Sequence, residues 1–480
     1  SILHRIMDLT YKTKEPVSKF SISWFLSFIY FFLKSRKNPV IMVHYLLNWR
    51  RTMKKFDVII VGAGTSGMMA TIAAAEAGAQ VLLIEKNRRV GKKLLMTGGG
   101  RCNVTNNRPA EEIISFIPGN GKFLYSAFSQ FDNYDIMNFF ESNGIHLKEE
   151  DHGRMFPVTD KSKSIVDALF NRINELGVTV FTKTQVTKLV RKDDQIIGVE
   201  TELEKIYAPC VVLTTGGRTY PSTGATGDGY KLAKKMGHTI SPLYPTESPI
   251  ISEEPFILDK TLQGLSLQDV NLTVLNQKGK PLVNHQMDML FTHFGISGPA
   301  ALRCSSFINQ ELTRNGNQPV TVALDVFPTK SFEEVLKNVD YMIKEQPNKV
   351  AKNAFHSLIP ERLLTFYLEK LAIEEVPAKQ LTEKQRLSFV ELLKDFQFTV
   401  TKTLPLEKSF VTGGGISLKE VTPKTMESKL VNGLFFAGEL LDINGYTGGY
   451  NVTAAFVTGH VAGSHAAEIA EYTYLPIEEV

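Results

Sequence analysis

The sequence predicts an α/β fold, in which a parallel sheet with helices and a small antiparallel meander is interrupted by an inserted β-rich and helical domain. Three observations predict it. A β-branched run, a small-residue helix and a second apolar strand follow one another in residues 56–86. Between about residues 245 and 404 the pattern changes to prolines, a hairpin and then helical segments. After residue 404 the glycine-rich, small-residue pattern of the first half returns.

The chain of 480 residues is too long for one ordinary hydrophobic core, and 43% hydrophobic with 22% charged residues indicates a globular protein. We therefore expect several segments. They are an amino-terminal extension (1–52), the first part of the domain with the parallel sheet (53–244), an inserted β-rich domain (245–330), an inserted helical segment (331–404) and the second part of the domain with the parallel sheet (405–480).

The first 52 residues differ from the rest of the chain. They carry nine Lys/Arg and two acidic residues, so the formal net charge of +4 becomes −3 for residues 53–480. The apolar run FSISWFLSFIYFFL (20–33) has 14 residues, fewer than the roughly 20 of a membrane span. A signal-like or membrane-surface segment stays open. We interpret Met53 as the start and residues 1–52 as an extension without a role in function, and we expect no other membrane contact.

Three isolated cysteines, Cys102, Cys210 and Cys304, lie about a hundred residues apart. This spacing argues against a disulfide framework and a structural zinc site. We therefore expect no metal and a reducing, cytoplasmic location. After Met53 no clustered basic face with interleaved aromatic residues is evident, so we expect no nucleic-acid partner.

The elements of the first half follow in order. The strand FDVIIVGAG, the helix SGMMATIAAAEAG and the strand AQVLLIEK form a βαβ unit. Helical patterns dominate residues 113–176, and Gly177 ends the helix SIVDALFNRINELG. Residues 178–207 contain several strands with charged turns, which predict an antiparallel meander that returns to a buried strand at 210–214.

The motif GAGTSG, with Gly62, Gly64 and Gly67, predicts a dinucleotide site. It follows a strand and opens a helix, and Glu85 lies 18 residues after Gly67 at the end of the second strand. The glycines allow a tight turn, close approach of a pyrophosphate and helix–strand packing, while Glu85 can accept hydrogen bonds from a ribose. An acid at this place disfavours a 2'-phosphate, so FAD or NAD fits better than NADP.

A distant segment, GLFFAGELLDINGYTGGYNVTAAFVTGHVAG (433–463), favours FAD. Its strand, glycine-rich loop and small-residue helix bring a second helix N-terminus toward a ring system. The pyrimidine edge of a flavin becomes negative on reduction, and backbone N–H groups stabilise that charge.

Five motifs together resemble a known family: DVIIVGAGTSGMMATIAAAEAG, KLLMTGGGRCNVTN, THFGISGPA, VTGGGISLKEVTPKTMESKL and GLFFAGELLDINGYTGGYNVTAAFVTG. The chain from about residue 56 onward is similar to the BaiN/YhiN-like bacterial flavoproteins, which are NAD(P)/FAD-dependent oxidoreductases. More distantly, residues 211–238 resemble the flavoproteins of fumarate reductase and succinate dehydrogenase. The catalytic His and Arg motifs of that distant group have no counterpart here, which argues against dicarboxylate reduction.

The resemblance implies a Rossmann-like FAD-binding domain that is interrupted by a capping domain. The adenosine end of FAD would contact Gly62, Ala63, Gly64, Thr65, Ser66, Gly67, Glu85, Lys86 and Val186. Thr215, Gly216 and Gly217 would lie beside the pyrophosphate and ribityl region, with Gly438, Glu439, Asp442, Gly448, Gly449, Tyr450, Asn451 and Val452 around the ribityl chain and ring. The implied activity is reduction of carbon–carbon double bonds in oxo-steroid intermediates, which carries over only as a class.

The segment TGGGRCN (97–103) has two interpretations. Cys102 could be a thiol that faces the flavin, but it has no partner cysteine nearby in sequence. We favour a loop in which Gly99 and Gly100 let the backbone lie against the flavin ring, while Arg101 and Asn103 form hydrogen bonds around it.

Candidate catalytic residues come from three places. His293 belongs to a His-Phe-Gly turn of the inserted domain and could project an imidazole into a cleft, or pack against its own loop. Arg218 and Tyr220 follow the buried strand at 210–214 and could bind anions or donate protons, and Arg101 is the fourth candidate.

The sequence thus predicts an FAD-dependent oxidoreductase that transfers a hydride through flavin N5 to or from a small organic substrate such as an unsaturated ketone. Only one dinucleotide fingerprint occurs after Met53, so NAD(P)H as a transient reductant would visit the same cleft. A flavin-dependent amine or amino-ketone oxidase and a flavin-dependent RNA-modifying enzyme are the alternatives. The sequence leaves the oligomeric state open.

Overall fold

The computed structural model describes residues 56–473, so the predictions about residues 1–52 lie outside the described residues. The twenty strands of this part are β1 Val58–Val61, β2 Val81–Ile84, β3 Thr105–Asn106, β4 Leu147–Glu150, β5 Arg154–Pro157, β6 Thr179–Phe181, β7 Val186–Lys192, β8 Gln195–Thr201, β9 Lys205–Tyr207, β10 Cys210–Leu213, β11 Ile240–Thr246, β12 Ile250–Ile251, β13 Ser266–Leu275, β14 Pro281–Phe291, β15 Gly295–Ser297, β16 Val320–Asp325, β17 Phe396–Val400, β18 Lys402–Thr403, β19 Val411–Ile416 and β20 Leu434–Phe436.

The α-helices of residues 56–473 are α1 Thr65–Glu76, α2 Ala110–Ser115, α3 Tyr125–Phe128, α4 Asn133–Ser142, α5 Ser162–Glu175, α6 Asp228–Lys235, α7 Pro255–Leu258, α8 Pro299–Arg314, α9 Phe332–Glu345, α10 Ala351–Ala354, α11 Glu361–Lys370, α12 Glu383–Lys394 and α13 Tyr450–Tyr472. Within this range no helix is long and apolar enough to cross a membrane.

A five-stranded parallel sheet in the order β20-β10-β1-β2-β6 forms the centre of the first hydrophobic core. The strands β1, β2, β10 and β20 are apolar and buried along their whole length, as expected for a parallel sheet covered on both faces. The last helix, α13, packs against the first helix, α1, at glycine positions. A Cβ on Gly463 would lie 2.1 Å from the carbonyl oxygen of Ala70, so only glycine permits this approach.

Residues 250–400 form a second hydrophobic core, which we call the cap. Its sheet has seven strands in the order β17-β16-β13-β14-β15-β12-β18, and α8 packs against β13 and β14. The predicted β-rich and helical segments share this core, because β17 follows the helices in sequence and pairs with β16. The two-stranded ribbon β11-β19 flanks the cap in sequence on both sides.

The predicted fold class is confirmed: the protein has a mixed α/β fold with a Rossmann-like parallel sheet and further antiparallel sheets. One detail differs from the expectation for residues 178–207. Its first strand, β6, pairs in parallel with β2 at the edge of the central sheet, and only β7, β8 and β9 form the antiparallel meander.

Candidate active site

The glycine loop between β1 and α1 has two tightly packed positions and one open position. Gly62 has φ +104°, and a Cβ there would lie 2.6 Å from the carbonyl oxygen of Thr214. A Cβ on Gly67 would lie 1.8 Å from the carbonyl oxygen of Gly62, whereas a Cβ on Gly64 would meet nothing within 4 Å. Gly64 therefore leaves space in front of the α1 N-terminus, where no side chain caps the helix and an anionic group can approach the backbone.

Two charged residues follow β2 beside this loop, and one of them, Glu85, is hydrogen-bonded to it. Glu85 is buried and accepts hydrogen bonds from the backbone N–H of Ala63 at 2.8 Å and of Asn87 at 2.7 Å. The Lys86 ammonium lies 2.7 Å from Asp228 Oδ2. The predicted contact of Glu85 with a ribose stays a prediction.

A second helix N-terminus lies in the same cleft. Gly448 and Gly449 have φ angles of +129° and +91°, and α13 begins directly after them without a side-chain cap. The Asn451 carboxamide closes the loop, because its Oδ1 accepts the N–H of Gly445 at 2.8 Å and its Nδ2 donates to the Gly445 carbonyl at 2.8 Å. Two helix N-termini with positive dipole ends thus line one cleft.

The cleft has a volume of about 640 Å³ and brings together most of the predicted cofactor residues. The predicted residues that line it are Gly62, Ala63, Gly64, Thr65, Ser66, Glu85, Lys86, Gly99, Asn103, Val186, Thr215, Gly216, Tyr220, Gly438, Glu439, Gly448, Gly449, Tyr450, Asn451 and Val452. Eight predicted residues do not line it: Gly67, Gly100, Arg101, Cys102, Gly217, Arg218, Asp442 and His293.

The segment TGGGRCN presents backbone to the cleft. Gly98 and Gly99 have φ angles of +56° and +65° and line the cleft together with Asn103. Cys102 is fully buried, and burial raises the pKa of its thiol to about 12, so the thiolate is not available at neutral pH.

Arg101, in the same segment, contacts acidic residues and does not line the cleft. Its guanidinium forms ion pairs with Glu150 and Asp160 and stacks 4.3 Å from the ring centre of Phe156. The predicted contact of Arg101 with a flavin ring stays a prediction.

The cleft fits a dinucleotide with a flat ring system. Asn103 Oδ1 and Thr215 Oγ1 are buried and have no hydrogen-bond partner among residues 56–473, and both residues line the cleft. Buried polar atoms of this kind require a partner. With the open position at Gly64 and the two helix N-termini, they would be available to hold FAD.

Glu439 is an acidic residue at this site with a defined partner. Its Oε2 lies 2.6 Å from the Lys93 ammonium, and its Oε1 accepts the N–H of Thr412 at 2.8 Å. Burial would raise the pKa of Glu439, but Lys93 and the Thr412 N–H hold it below its usual range. Glu439 is therefore an anion in the folded protein. Asp442 lies outside the cleft lining, and burial raises its pKa.

The other catalytic candidates differ in position. Tyr220 lines the cleft, and burial raises the pKa of its phenol. The Arg218 guanidinium is half exposed and lies 3.6 Å from Glu407. His293 is exposed in the turn between β14 and β15, next to the ring of Phe294.

The cap contributes residues that the sequence analysis did not identify: Met287, Pro299, Leu302 and Arg303. Arg303 is buried on α8, and its Nη2 donates to the carbonyl of Thr447 at 2.7 Å. Glu247 is also buried and accepts the N–H of Thr447 at 2.7 Å, and burial raises the pKa of Glu247 to about 8. Burial followed by the charge of Arg303 lowers the pKa of nearby His285 to about 4.

A family model described as HI0933-like protein Rossmann domain matches residues 56–465. The ribosomal RNA dihydrouridine synthase of Escherichia coli (strain K12) is 32% identical over 407 residues, which cover 83% of this chain and 95% of that protein. The 3-dehydro-bile acid delta(4,6)-reductase of Clostridium scindens is 30% identical over 413 residues, 85% of this chain and 98% of that protein. A flavocytochrome c3 fumarate reductase structure in the open conformation is 19% identical, with a TM-score of 0.43 over 87% of this chain and 79% of that chain. The family match and the two relatives confirm the predicted resemblance.

Proposed function

The chain belongs to the HI0933-like Rossmann-domain family, and from that premise we propose that it is an FAD-dependent reductase of a carbon–carbon double bond conjugated to a carbonyl group. The observation that carries this proposal is the convergence of two helix N-termini, the 98–99 glycine backbone and four cap residues on one cleft. Such a cleft can hold a flat redox ring on one side and a flat substrate on the other.

When bound, FAD supplies hydride chemistry, and NAD(P)H is its proposed reductant. The residues of this chain bind and orient the reactants. The α1 N-terminus after Gly64 would bind the pyrophosphate, and the α13 N-terminus after Gly449 would stabilise negative charge at the pyrimidine edge. The apolar cap residues Met287 and Leu302 would exclude water from the reacting atoms.

The two relatives support this reaction class, because their names describe the same type of bond change. A dihydrouridine synthase forms a uracil ring with a saturated C5–C6 bond, and a delta(4,6)-reductase saturates ring bonds of a 3-oxo steroid. In both substrates the double bond is conjugated to a carbonyl group. The proposal therefore uses the reaction type that the two relatives share, and not the substrate of either one.

Uridine in ribosomal RNA is a second, narrower candidate for the substrate. It is favoured by the similarity to the E. coli synthase over 95% of that protein's length. It is also favoured by the basic run at residues 86–93, in which Lys86, Lys92 and Lys93 line the cleft and Arg88 and Arg89 are exposed. Basic side chains in and beside a cleft can bind RNA phosphates. This candidate is the RNA-modifying alternative of the sequence analysis, and the expectation of no nucleic-acid partner stays a prediction.

Anaerobic single-turnover kinetics tests both statements. The FAD-loaded protein is reduced with NADPH or NADH and then mixed with 4-androstene-3,17-dione, with in vitro transcripts of ribosomal RNA, or with oxygen. We expect rapid reoxidation by at least one conjugated substrate, with a product that has gained two hydrogen atoms by mass spectrometry. Reoxidation by oxygen alone, with an amine as the only reductant, would instead support the oxidase alternative.

A further inference from the structure

The cap wall of the cleft carries a buried guanidinium with an unused donor. Arg303 is 6% exposed and lines the cleft. Its Nη2 is bound to the Thr447 carbonyl, whereas its Nε has no hydrogen-bond partner among residues 56–473. An arginine side chain has five N–H donors and does not lose its charge in proteins. A buried cation with a free donor at a substrate cleft requires an acceptor.

The surroundings of Arg303 fix its orientation. Its Cζ lies 5.3 Å from the ring centre of Tyr446 and 5.4 Å from that of Phe116. Glu247 and Arg303 bind the N–H and the carbonyl of the same residue, Thr447. The guanidinium is therefore held by two aromatic rings and by a backbone that Glu247 itself fixes, and such preorganisation makes a charge effective in catalysis.

Of the other lysines and arginines that line the cleft, Lys92 donates to the carbonyl of Ser222, and three have acidic partners. Lys86 is paired with Asp228, Lys93 with Glu439, and Arg154 with Asp151. Arg303 lies near Glu247, but the two side chains meet through Thr447, and burial favours the neutral form of Glu247. Arg303 is thus the cation of the cap wall that can take a further anionic oxygen.

The reduction of a conjugated double bond is favoured by such a cation. A hydride, with its electron pair, adds to the β-carbon, and the double-bond electrons move to form an enolate with negative charge on the carbonyl oxygen. A proton from water then adds to the α-carbon and restores the carbonyl group. The two electrons would be supplied by NAD(P)H, the proposed reductant, through FAD where FAD is bound. The charge on oxygen in the middle of this sequence is the one that a fixed donor can stabilise.

We infer that Arg303 is a catalytic residue that binds the carbonyl oxygen of the substrate and stabilises the enolate, and that Glu247 is its positioning residue. This inference rests on the proposed function. It applies equally to a uracil carbonyl and to a steroid 3-oxo group, because both develop the same oxyanion.

Binding of an enolate mimic tests the role of Arg303 without turnover. The oxidised, FAD-loaded protein is titrated at pH 6.5 with pentafluorophenol, which is ionised at this pH while Glu247 stays protonated, and the long-wavelength absorption of the phenolate–flavin complex gives a dissociation constant. We compare the native protein with Arg303→Met, Arg303→Lys and Arg314→Met. Arg314 is an exposed arginine at the end of the same helix and serves as the matched control. FAD content and thermal midpoint are recorded for every variant.

We expect Arg303→Met to weaken phenolate binding by about 100-fold, Arg303→Lys to weaken it less, and Arg314→Met to leave it unchanged. Glu247→Ala should weaken binding about tenfold, while Glu247→Gln, which keeps an acceptor for the Thr447 N–H, should restore most of it. Native-like phenolate binding by both Arg303 variants, or no phenolate binding by the native protein, would overturn the inference. A failure of the proposed function would look different. Conjugated substrates would then not reoxidise the reduced protein, while the Arg303 variants would still bind phenolate more weakly than the native protein.

Discussion

Glu247 and Arg303 form hydrogen bonds with the backbone of the same residue, Thr447. The Glu247 carboxyl group accepts the N–H of Thr447, and the Arg303 guanidinium donates to the carbonyl of the same residue. Thr447 lies three residues before α13, the helix whose N-terminus lines the cleft. The cap wall and the loop before α13 are therefore joined through polar contacts that are buried and hence sensitive to substitution.

Replacement of Glu247 by Gln should change how stability depends on pH. The pKa of Glu247 is about 8 in the folded protein against an ordinary value of 4.5, so between these values the folded state binds the proton that the unfolded state releases. Stability then falls as pH rises through this window, by about 1.4 kcal/mol for each pH unit. Glu247→Gln removes this loss, so its stability relative to the native protein should rise from pH 5 to pH 9. Urea unfolding at both pH values measures it.

The exposed Glu253 provides the control for this experiment. Glu253→Gln should show no change in relative stability between pH 5 and pH 9. A constant stability difference between Glu247→Gln and the native protein across the same range would contradict the raised pKa.

Alanine at Gly64 and at Gly67 should have opposite phenotypes. A methyl group at Gly67 would lie 1.8 Å from the Gly62 carbonyl oxygen. Gly67→Ala should therefore destabilise the protein by about 3 kcal/mol or more, at the upper end of the cost of overpacking. Gly64 has φ −83° and open space around it, so Gly64→Ala should fold normally but weaken FAD binding, because the methyl group enters the cleft. Thermal melts of the apoprotein and FAD titration separate the two effects. Equal loss of stability in both variants would refute this assignment.

Replacement of Cys102 by Ser should leave FAD content and turnover largely intact. The thiol is fully buried and its pKa is raised to about 12 by burial, so it cannot act as an exchanging thiolate. The native thiol should also react with a thiol reagent only after unfolding. An inactive Cys102→Ser protein with normal FAD content would restore the thiol interpretation.

Most residues predicted for the cofactor lie together in one cleft, because glycine spacing constrains the local backbone. The turn at Gly62 and the helix start after Gly449 follow from residues that are adjacent in the chain, and both line the cleft as expected. The motif spacing of GAGTSG and Glu85 also placed a strand end beside the loop.

The cap side could not be predicted in the same way. Arg303 and Met287 reach the cleft through the packing of α8 and β14 in a separate core, which no local pattern encodes. The stretch THFGISGPA contains Pro299, which lines the cleft, and His293, which lies in an exposed turn outside the cleft lining. The catalytic role predicted for His293 stays a prediction. The signal that was missed is a single charged residue, Arg303, among small and apolar residues at the start of a helix.

Charge reversal of the basic run should distinguish the two substrate classes. Arg88 and Arg89 are exposed beside cleft residues Lys86 and Lys92. If RNA is the substrate, the double variant Arg88→Glu/Arg89→Glu should raise the KM for ribosomal RNA about tenfold or more. It should also reduce the dependence of binding on salt by roughly one unit of slope for each lost phosphate contact. Its turnover of 4-androstene-3,17-dione should not change, because a neutral steroid does not respond to distant charges.

The matched variant Lys379→Glu/Lys384→Glu alters two exposed lysines of the cap outside the cleft lining and should leave the KM for RNA as it is. Equal effects of both double variants would mean that net charge, rather than the run at 86–93, governs RNA binding.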